Sequence, residues 1–169
     1  MFKTFLRTIL KPLSFLPAIF MMYLIYHLSG QDGATSAGLS LKVSIKVVEL
    51  GAKLFQHPLT PTEVMEYADL IHFLIRKCAH VMLYFFLAVS VSFPLYVYGL
   101  RGIWLVITAG IICITFACSD EYHQSLVAGR GPSLKDVLID GIGILGGITT
   151  VRIFCFIGRK TIFRFLSKS

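Results

Sequence analysis

Two long apolar runs, residues 103–118 and 137–157, restrict what this chain can fold into. A helix needs about 20 apolar residues to cross the hydrocarbon core of a bilayer, and each run meets or nearly meets that length. Only 15% of the 169 residues are charged and 56% are hydrophobic, whereas soluble domains carry about 25% charged residues. The sequence therefore predicts an all-α integral membrane bundle. Its apolar content argues against a nucleic-acid-binding protein, despite a net charge of +7.

Four transmembrane helices are predicted in a single domain that covers residues 1–169, roughly at 12–28, 78–98, 103–118 and 137–157. The first of them has an alternative interpretation as a cleaved signal peptide, since basic residues precede its apolar run. We favour an uncleaved helix because the run is long and further spans follow. Residues 29–75 then form a segment on the outer side of the membrane, which begins with a predicted turn at Ser29-Gly30-Gln31-Asp32-Gly33.

Two features of that outer segment predict helices. Over residues 39–55, Lys42, Lys46 and Lys53 recur at helical spacing with apolar side chains between them, which is typical of an amphipathic helix in the membrane interface. A helix packed on the bundle is the alternative. Thr60-Pro61-Thr62-Glu63 has the pattern of a capping box with proline at the first helical position, so a helix is predicted to begin there.

The distribution of basic residues sets the expected orientation. Four spans place both termini on one side, and that side carries the basic N-terminal residues, Arg101 and the basic tail. By the positive-inside rule the termini are predicted to be cytoplasmic. We therefore predict a multi-pass protein of the inner (cytoplasmic) membrane with its polar loops outside.

Ionisable residues cluster near the outer ends of the predicted spans. Four polar residues recur at every fourth position of the second span: His72, Arg76, His80 and Tyr84. They share one helix face, which should turn away from lipid. Asp140 lies one turn inside the fourth span, where an ionised carboxylate costs about 2.5–3.5 kcal/mol unless it is paired. The predicted binding site has these members: Arg76, Lys77, His80, Tyr84, Asp120, Glu121, His123, Gln124, Arg130, Asp136 and Asp140.

Several of these residues also have simpler interpretations. Arg76 and Lys77 are able to extend to the membrane interface, and Asp136 is able to stabilise a helix N-terminus capped by Ser133. The cluster lacks a spacing typical of zinc sites, so no metal and no cofactor are predicted. Gly143 and Gly147 have the spacing that lets two helices approach closely, which is compatible with a homo-oligomer.

Blocks of these residues recur together in a known family. The blocks, in chain order, are His27-Leu28-Ser29-Gly30-Gln31, Arg76-Lys77-Cys78-Ala79-His80 with Tyr84, Asp120-Glu121-Tyr122-His123-Gln124, Gly129-Arg130-Gly131-Pro132-Ser133, Asp136-Val137 and Asp140. In these blocks the chain resembles the VanZ-like family of small bacterial membrane proteins. The resemblance implies an integral membrane protein of the cell envelope, and the family's namesake lowers susceptibility to the glycopeptide teicoplanin. The segment 33–69 is longer than in the simplest family pattern.

Three functions stay open. In the first, the outward-facing site binds an envelope lipid, a lipid-linked precursor or a glycopeptide's target, with arginines that hold phosphate or carboxylate groups. In the second, a membrane enzyme acts on a lipid-linked substrate, with Glu121 and His123 as acid and base and with Asp120 or Asp140 orienting the histidine or holding a metal. In the third and weakest, Asp140 and His80 relay protons in a transporter. The predicted partner is a membrane lipid or a lipid-linked envelope component, and no nucleic acid.

Overall fold

The chain folds into a bundle of helices. The computed structural model describes residues 12–131 and 133–166, and over those residues it contains no strand. The all-α prediction is therefore confirmed. The helices are α1 (Leu16–Ser29), α2 (Gly33–Leu54), α3 (Pro61–Val97), α4 (Gly102–Ser125) and α5 (Leu134–Leu166).

Local side-chain hydrogen bonds explain where α2 and α3 begin. Thr60 and Glu63 form the predicted capping box at the start of α3, with Glu63 Oε2 accepting from the Thr60 backbone N–H at 2.7 Å. The α2 helix begins earlier than residue 39, because Asp32 Oδ1 accepts from the Thr35 backbone N–H at 2.8 Å. Hydrogen bonds from the Thr35 backbone and hydroxyl lower the pKa of Asp32, since both favour the charged carboxylate.

Among the described residues, three helices are long and apolar enough to cross a membrane: α3, α4 and the Leu134–Ile157 part of α5. The α1 helix is apolar but has 14 residues in the described part of the chain, fewer than a span usually needs. Four spans thus stay a prediction. The α3 helix has 37 residues, or about 55 Å at about 1.5 Å per residue, which exceeds the hydrocarbon thickness of about 30 Å. Part of α3 therefore extends past the bilayer core or tilts, and α2 packs against α3.

The α3 helix lies at the centre of the bundle and contacts each of the other helices, most extensively α5. A Cβ atom added to Gly143 would overlap the backbone carbonyl oxygen of Val81, and one added to Gly147 would lie 2.8 Å from the Ala88 Cβ. The predicted close helix approach is therefore real and occurs within one chain. Because α3 occupies the glycine face of α5, a homo-oligomer would need a different helix face. The homo-oligomer itself stays a prediction.

Candidate functional site

Asp120, near the end of α4, is the centre of a buried polar cluster. Its carboxylate oxygen Oδ2 accepts hydrogen bonds from Ser29 Oγ at 2.9 Å, from Gln124 Nε2 at 2.9 Å and from the Tyr84 hydroxyl at 3.2 Å. These donors come from α1, α3 and α4, so one carboxylate joins three helices. Only 3% of Asp120 is exposed, and its other oxygen, Oδ1, is buried without a hydrogen-bond partner.

Arg130 closes this cluster from the loop between α4 and α5. Its Nη1 donates to the Ser29 carbonyl oxygen at 3.2 Å and to Gln124 Oε1 at 3.1 Å. Gln124 thereby accepts from a cation through its oxygen while its amide N–H group donates to Asp120. Burial is the main cause that lowers the pKa of the Arg130 side chain, followed by repulsion from Arg76. A guanidinium nevertheless keeps its proton in proteins, so Arg130 is a cation of the site.

Two contacts fix the loop and the start of α5 against α3 and α4. Lys77 forms an ion pair with Asp136, a pairing that the sequence did not predict. Glu121 Oε2 accepts from the Ser133 backbone N–H at 2.9 Å. The loop is also held by α2, because the Gly33 backbone N–H donates to the Ala128 carbonyl oxygen at 3.2 Å.

Deeper in the bundle, His80 on α3 faces Asp140 on α5. His80 Nδ1 lies 3.8 Å from Asp140 Oδ1, within ion-pair distance but longer than a hydrogen bond. Asp140 is 1% exposed, and its Oδ1 makes no hydrogen bond. His80 is therefore the basic partner that the fold brings close to this carboxylate.

A polar cavity of about 160 Å³ opens between α3 and the loop. Its side-chain lining consists of Arg76, Lys77, His80, Gln124, Arg130 and Asp136, and the backbone of Gly129 and Gly131 completes it. Lys77 is paired with Asp136, whereas Arg76 and Arg130 form no ion pair in the described part of the chain. The cavity therefore carries an excess of positive charge from two guanidinium groups.

An apolar fissure of about 210 Å³ adjoins the polar cavity between α1, α2 and α3. The two spaces share Arg76, His80 and Arg130 as lining residues. The fissure's apolar members are Leu28, Leu39, Val43, Ile75, Ala79 and Leu83. A charged space thus continues directly into an apolar one.

Comparison with known proteins identifies the family. A family model described as VanZ/LLP1 matches residues 14–155. The chain belongs to the VanZ-like family. Searches of curated proteins and of solved structures gave no match. Together with the three long apolar helices, this membership makes the chain a VanZ-like membrane protein.

The fold divides the predicted VanZ-like site into residues that line the polar cavity, residues packed around it, and His123. Tyr84, Asp120, Glu121 and Asp140 do not line the polar cavity but lie in the surrounding packing, where the first three make the hydrogen bonds described above. His123 stands apart, because its ring stacks on Tyr26 of α1 with ring centroids 4.1 Å apart. His72 also lies elsewhere, with its Nδ1 2.6 Å from the Asp69 carbonyl oxygen.

Sequence reasoning missed Ser29 as a member of the site. Its hydroxyl contacts Asp120 and its carbonyl oxygen accepts from Arg130. The signal was present in the family block around residues 27–31, which was interpreted as a turn only. Within residues 12–131 and 133–157, no group of three or more histidine, cysteine or acidic side chains is arranged to hold a metal ion.

Proposed function

We propose that this VanZ-like protein binds a phosphate-bearing envelope lipid or lipid-linked precursor at the polar cavity. One observation carries the proposal: a cavity whose two guanidinium groups form no ion pair among the described residues opens into an apolar fissure through shared lining residues. An amphiphile with an anionic headgroup matches both spaces at once. Glycopeptide susceptibility would then change because the protein holds the lipid-linked target.

The cationic side chains determine the headgroup chemistry. Guanidinium groups present paired N–H donors whose geometry matches phosphate and carboxylate oxygens. Arg130 is already positioned by the Ser29 carbonyl oxygen and Gln124, so little side-chain entropy is lost when it binds an anion. At about 160 Å³ the cavity suits a phosphate group, whereas a complete glycopeptide antibiotic is far larger.

The fissure supports a lipid as the source of that phosphate. Its lining is mainly apolar and comes from α1, α2 and α3. The alkyl chain of a membrane lipid exchanges one apolar environment for another there, so it avoids the cost of about 0.8 kcal/mol for each CH₂ group exposed to water. A free phosphate ion would leave this apolar lining without an occupant.

The orientation belongs to the same proposal. With cytoplasmic termini the polar cavity lies on the outer side of the inner membrane, since it adjoins the end of α4 and the start of α5. Outward-facing residues would meet lipid-linked wall precursors after their transfer across the membrane. Basic residues near the termini support this orientation through the positive-inside rule.

A lipid-binding measurement tests the proposal. The full chain in detergent micelles is titrated with fluorescent phosphatidic acid, and unlabelled phosphatidylcholine serves as the competitor that lacks a phosphate monoester. We expect Arg130→Gln to weaken binding about tenfold or more, because a hydrogen bond to a charged group contributes about 1.5–3 kcal/mol. Arg101→Gln is the matched control, since Arg101 is exposed and lies outside both the polar cavity and the fissure.

Unchanged binding in both Arg130→Gln and Arg76→Gln would refute the headgroup assignment. The same variants address the glycopeptide connection in cells. Expression of the natural sequence in a susceptible strain should raise the teicoplanin concentration that stops growth. Arg130→Gln should remove that increase at equal protein level.

A further inference from the structure

We propose that His80 and Asp140 form a general-base pair that hydrolyses the phosphate monoester of a lipid in the polar cavity. This inference rests on the proposed function, because the substrate must first bind at that site. It differs from the acid–base pair expected from the sequence, Glu121 and His123. In the fold, Glu121 holds the Ser133 backbone N–H and His123 stacks on Tyr26, so neither is a lining residue of the cavity.

His80 occupies the position that a general base requires. It lines both the polar cavity and the apolar fissure, and 23% of its side chain is exposed. A bound lipid phosphate would have its headgroup on one side of this imidazole and its chain on the other. The ester bond between phosphate and lipid alcohol would therefore lie beside His80.

Asp140 is placed to orient the imidazole. Its buried Oδ1 lies 3.8 Å from His80 Nδ1 and makes no hydrogen bond. A carboxylate on that side favours the tautomer with its proton on Nδ1, which leaves Nε2 unprotonated as the base. Such contacts are often long before substrate binds and shorten in the complex. Asp140 is a positioning residue here, since it acts through His80.

The charge of the cavity favours a phosphate monoester over other esters. A monoester carries about −1.5 to −2 charges at neutral pH, which matches the two guanidinium groups left after Lys77 pairs with Asp136. Cations aimed at phosphoryl oxygens stabilise the charge spread over them in the transition state. The described lining of the polar cavity contains no hydroxyl or thiol side chain, the nucleophiles used most often for acyl transfer.

The reaction is a hydrolysis with water as the co-reactant. A water oxygen forms a bond to phosphorus while His80 Nε2 takes one of its protons. The bond between phosphorus and the lipid alcohol oxygen breaks, and that oxygen receives the proton from the imidazolium. The products are the lipid alcohol and inorganic phosphate, and His80 returns to its neutral form. No atom changes oxidation state.

The test measures binding and turnover on the same preparation. Full-length protein in mixed micelles receives phosphatidic acid, and release of inorganic phosphate gives kcat and KM, while fluorescent phosphatidic acid reports binding. We expect His80→Gln to lower kcat by about 10²- to 10⁴-fold, the usual contribution of a general base. His72→Gln makes the same change two turns away on α3, outside the cavity, and should leave kcat within about twofold.

Asp140→Asn tests the positioning role. We expect kcat to fall by about 10²-fold or more while KM stays within about threefold, because the asparagine keeps the size of the side chain but not its preference for one tautomer. A merely structural contribution would change binding as well. Since Asp140 is buried, thermal unfolding of this variant is measured alongside, and His80→Gln at a partly exposed position gives the independent result.

The outcomes separate the two proposals. If the natural sequence does not bind fluorescent phosphatidic acid, the proposed binding function fails and the hydrolysis fails with it. If it binds the lipid but releases no phosphate, or if His80→Gln releases phosphate at the normal rate, the general-base pair is overturned while the binding function stands.

Discussion

The contact between α3 and α5 can be tested with two glycines that lie two residues apart on α5. A Cβ atom added to Gly143 would overlap the Val81 carbonyl oxygen and lie 3.1 Å from the Phe85 backbone nitrogen, and both are backbone atoms that cannot rotate away. A Cβ atom added to Gly141 meets nothing within 4 Å. Gly143→Ala and Gly141→Ala are therefore the same chemical change with and without an obstacle.

The structure gives the expected size of the difference. Replacing glycine with alanine inside a helix stabilises it by about 1 kcal/mol, and this gain applies to both variants. Overpacking at a tight contact costs about 1–3 kcal/mol, and this cost applies to Gly143→Ala alone. We therefore expect Gly141→Ala to unfold at a higher denaturant concentration than the natural sequence. Gly143→Ala should be less stable than Gly141→Ala by about 1–3 kcal/mol.

Reversible unfolding in mixed micelles, followed by circular dichroism during titration with sodium dodecyl sulfate, measures both variants. Equal unfolding midpoints for Gly143→Ala and Gly141→Ala would refute the close packing of α3 on α5. Phosphate release, measured beside lipid binding, gives a second readout, because pushing α5 away from α3 also moves Asp140 away from His80. We expect Gly143→Ala, but not Gly141→Ala, to lose phosphate release beyond its loss of lipid binding.

Two further predictions concern the loop and the start of α2. Glu121→Ala should weaken phosphatidic acid binding about tenfold, because a charge-assisted hydrogen bond to the Ser133 backbone N–H contributes about 1.5–3 kcal/mol to holding the loop that carries Arg130. Glu121→Gln keeps an acceptor oxygen, so this variant should bind the lipid within about threefold of the natural sequence. Equal losses of binding in both variants would contradict the anchoring role of Glu121. The pKa of Asp32 is lowered in the fold, so its capping contribution is complete above the unfolded pKa of about 3.9 and is lost as pH falls through the lower folded value. The unfolding midpoints of the natural sequence and Asp32→Ala should therefore converge in acid, and a gap that persists at pH 2 would rule out the carboxylate as the cause.

The helical class was predictable because hydropathy and capping patterns are local. Residues 103–118 and 137–157 lie within observed helices, and the Thr60–Glu63 capping box forms as predicted. The start of α2 was missed because Gly30 to Gly33 was interpreted as a turn. In the fold, Asp32 lies in that turn and is the N-cap of the helix that follows.

Many of the residues at the polar cavity and around Asp120 were predictable, but the contacts between them were not. Helical spacing placed Arg76 and His80 on one face of α3, which the shared cavity now brings together. The partners Lys77–Asp136 and Ser29–Asp120 are 59 and 91 residues apart in the chain. Such pairs depend on how each helix is rotated about its axis, and a single sequence carries no local signal for that rotation.

The reach of the Asp120 carboxylate has a consequence for biogenesis. During synthesis Ser29 and Tyr84 are made before Asp120, so their hydroxyl groups lack this acceptor until α4 has been added. Arg130 emerges later still, and its side chain joins the loop to the end of α1. A nascent chain halted after α3 would therefore hold these two hydroxyl groups without the acceptor that joins their helices in the finished protein.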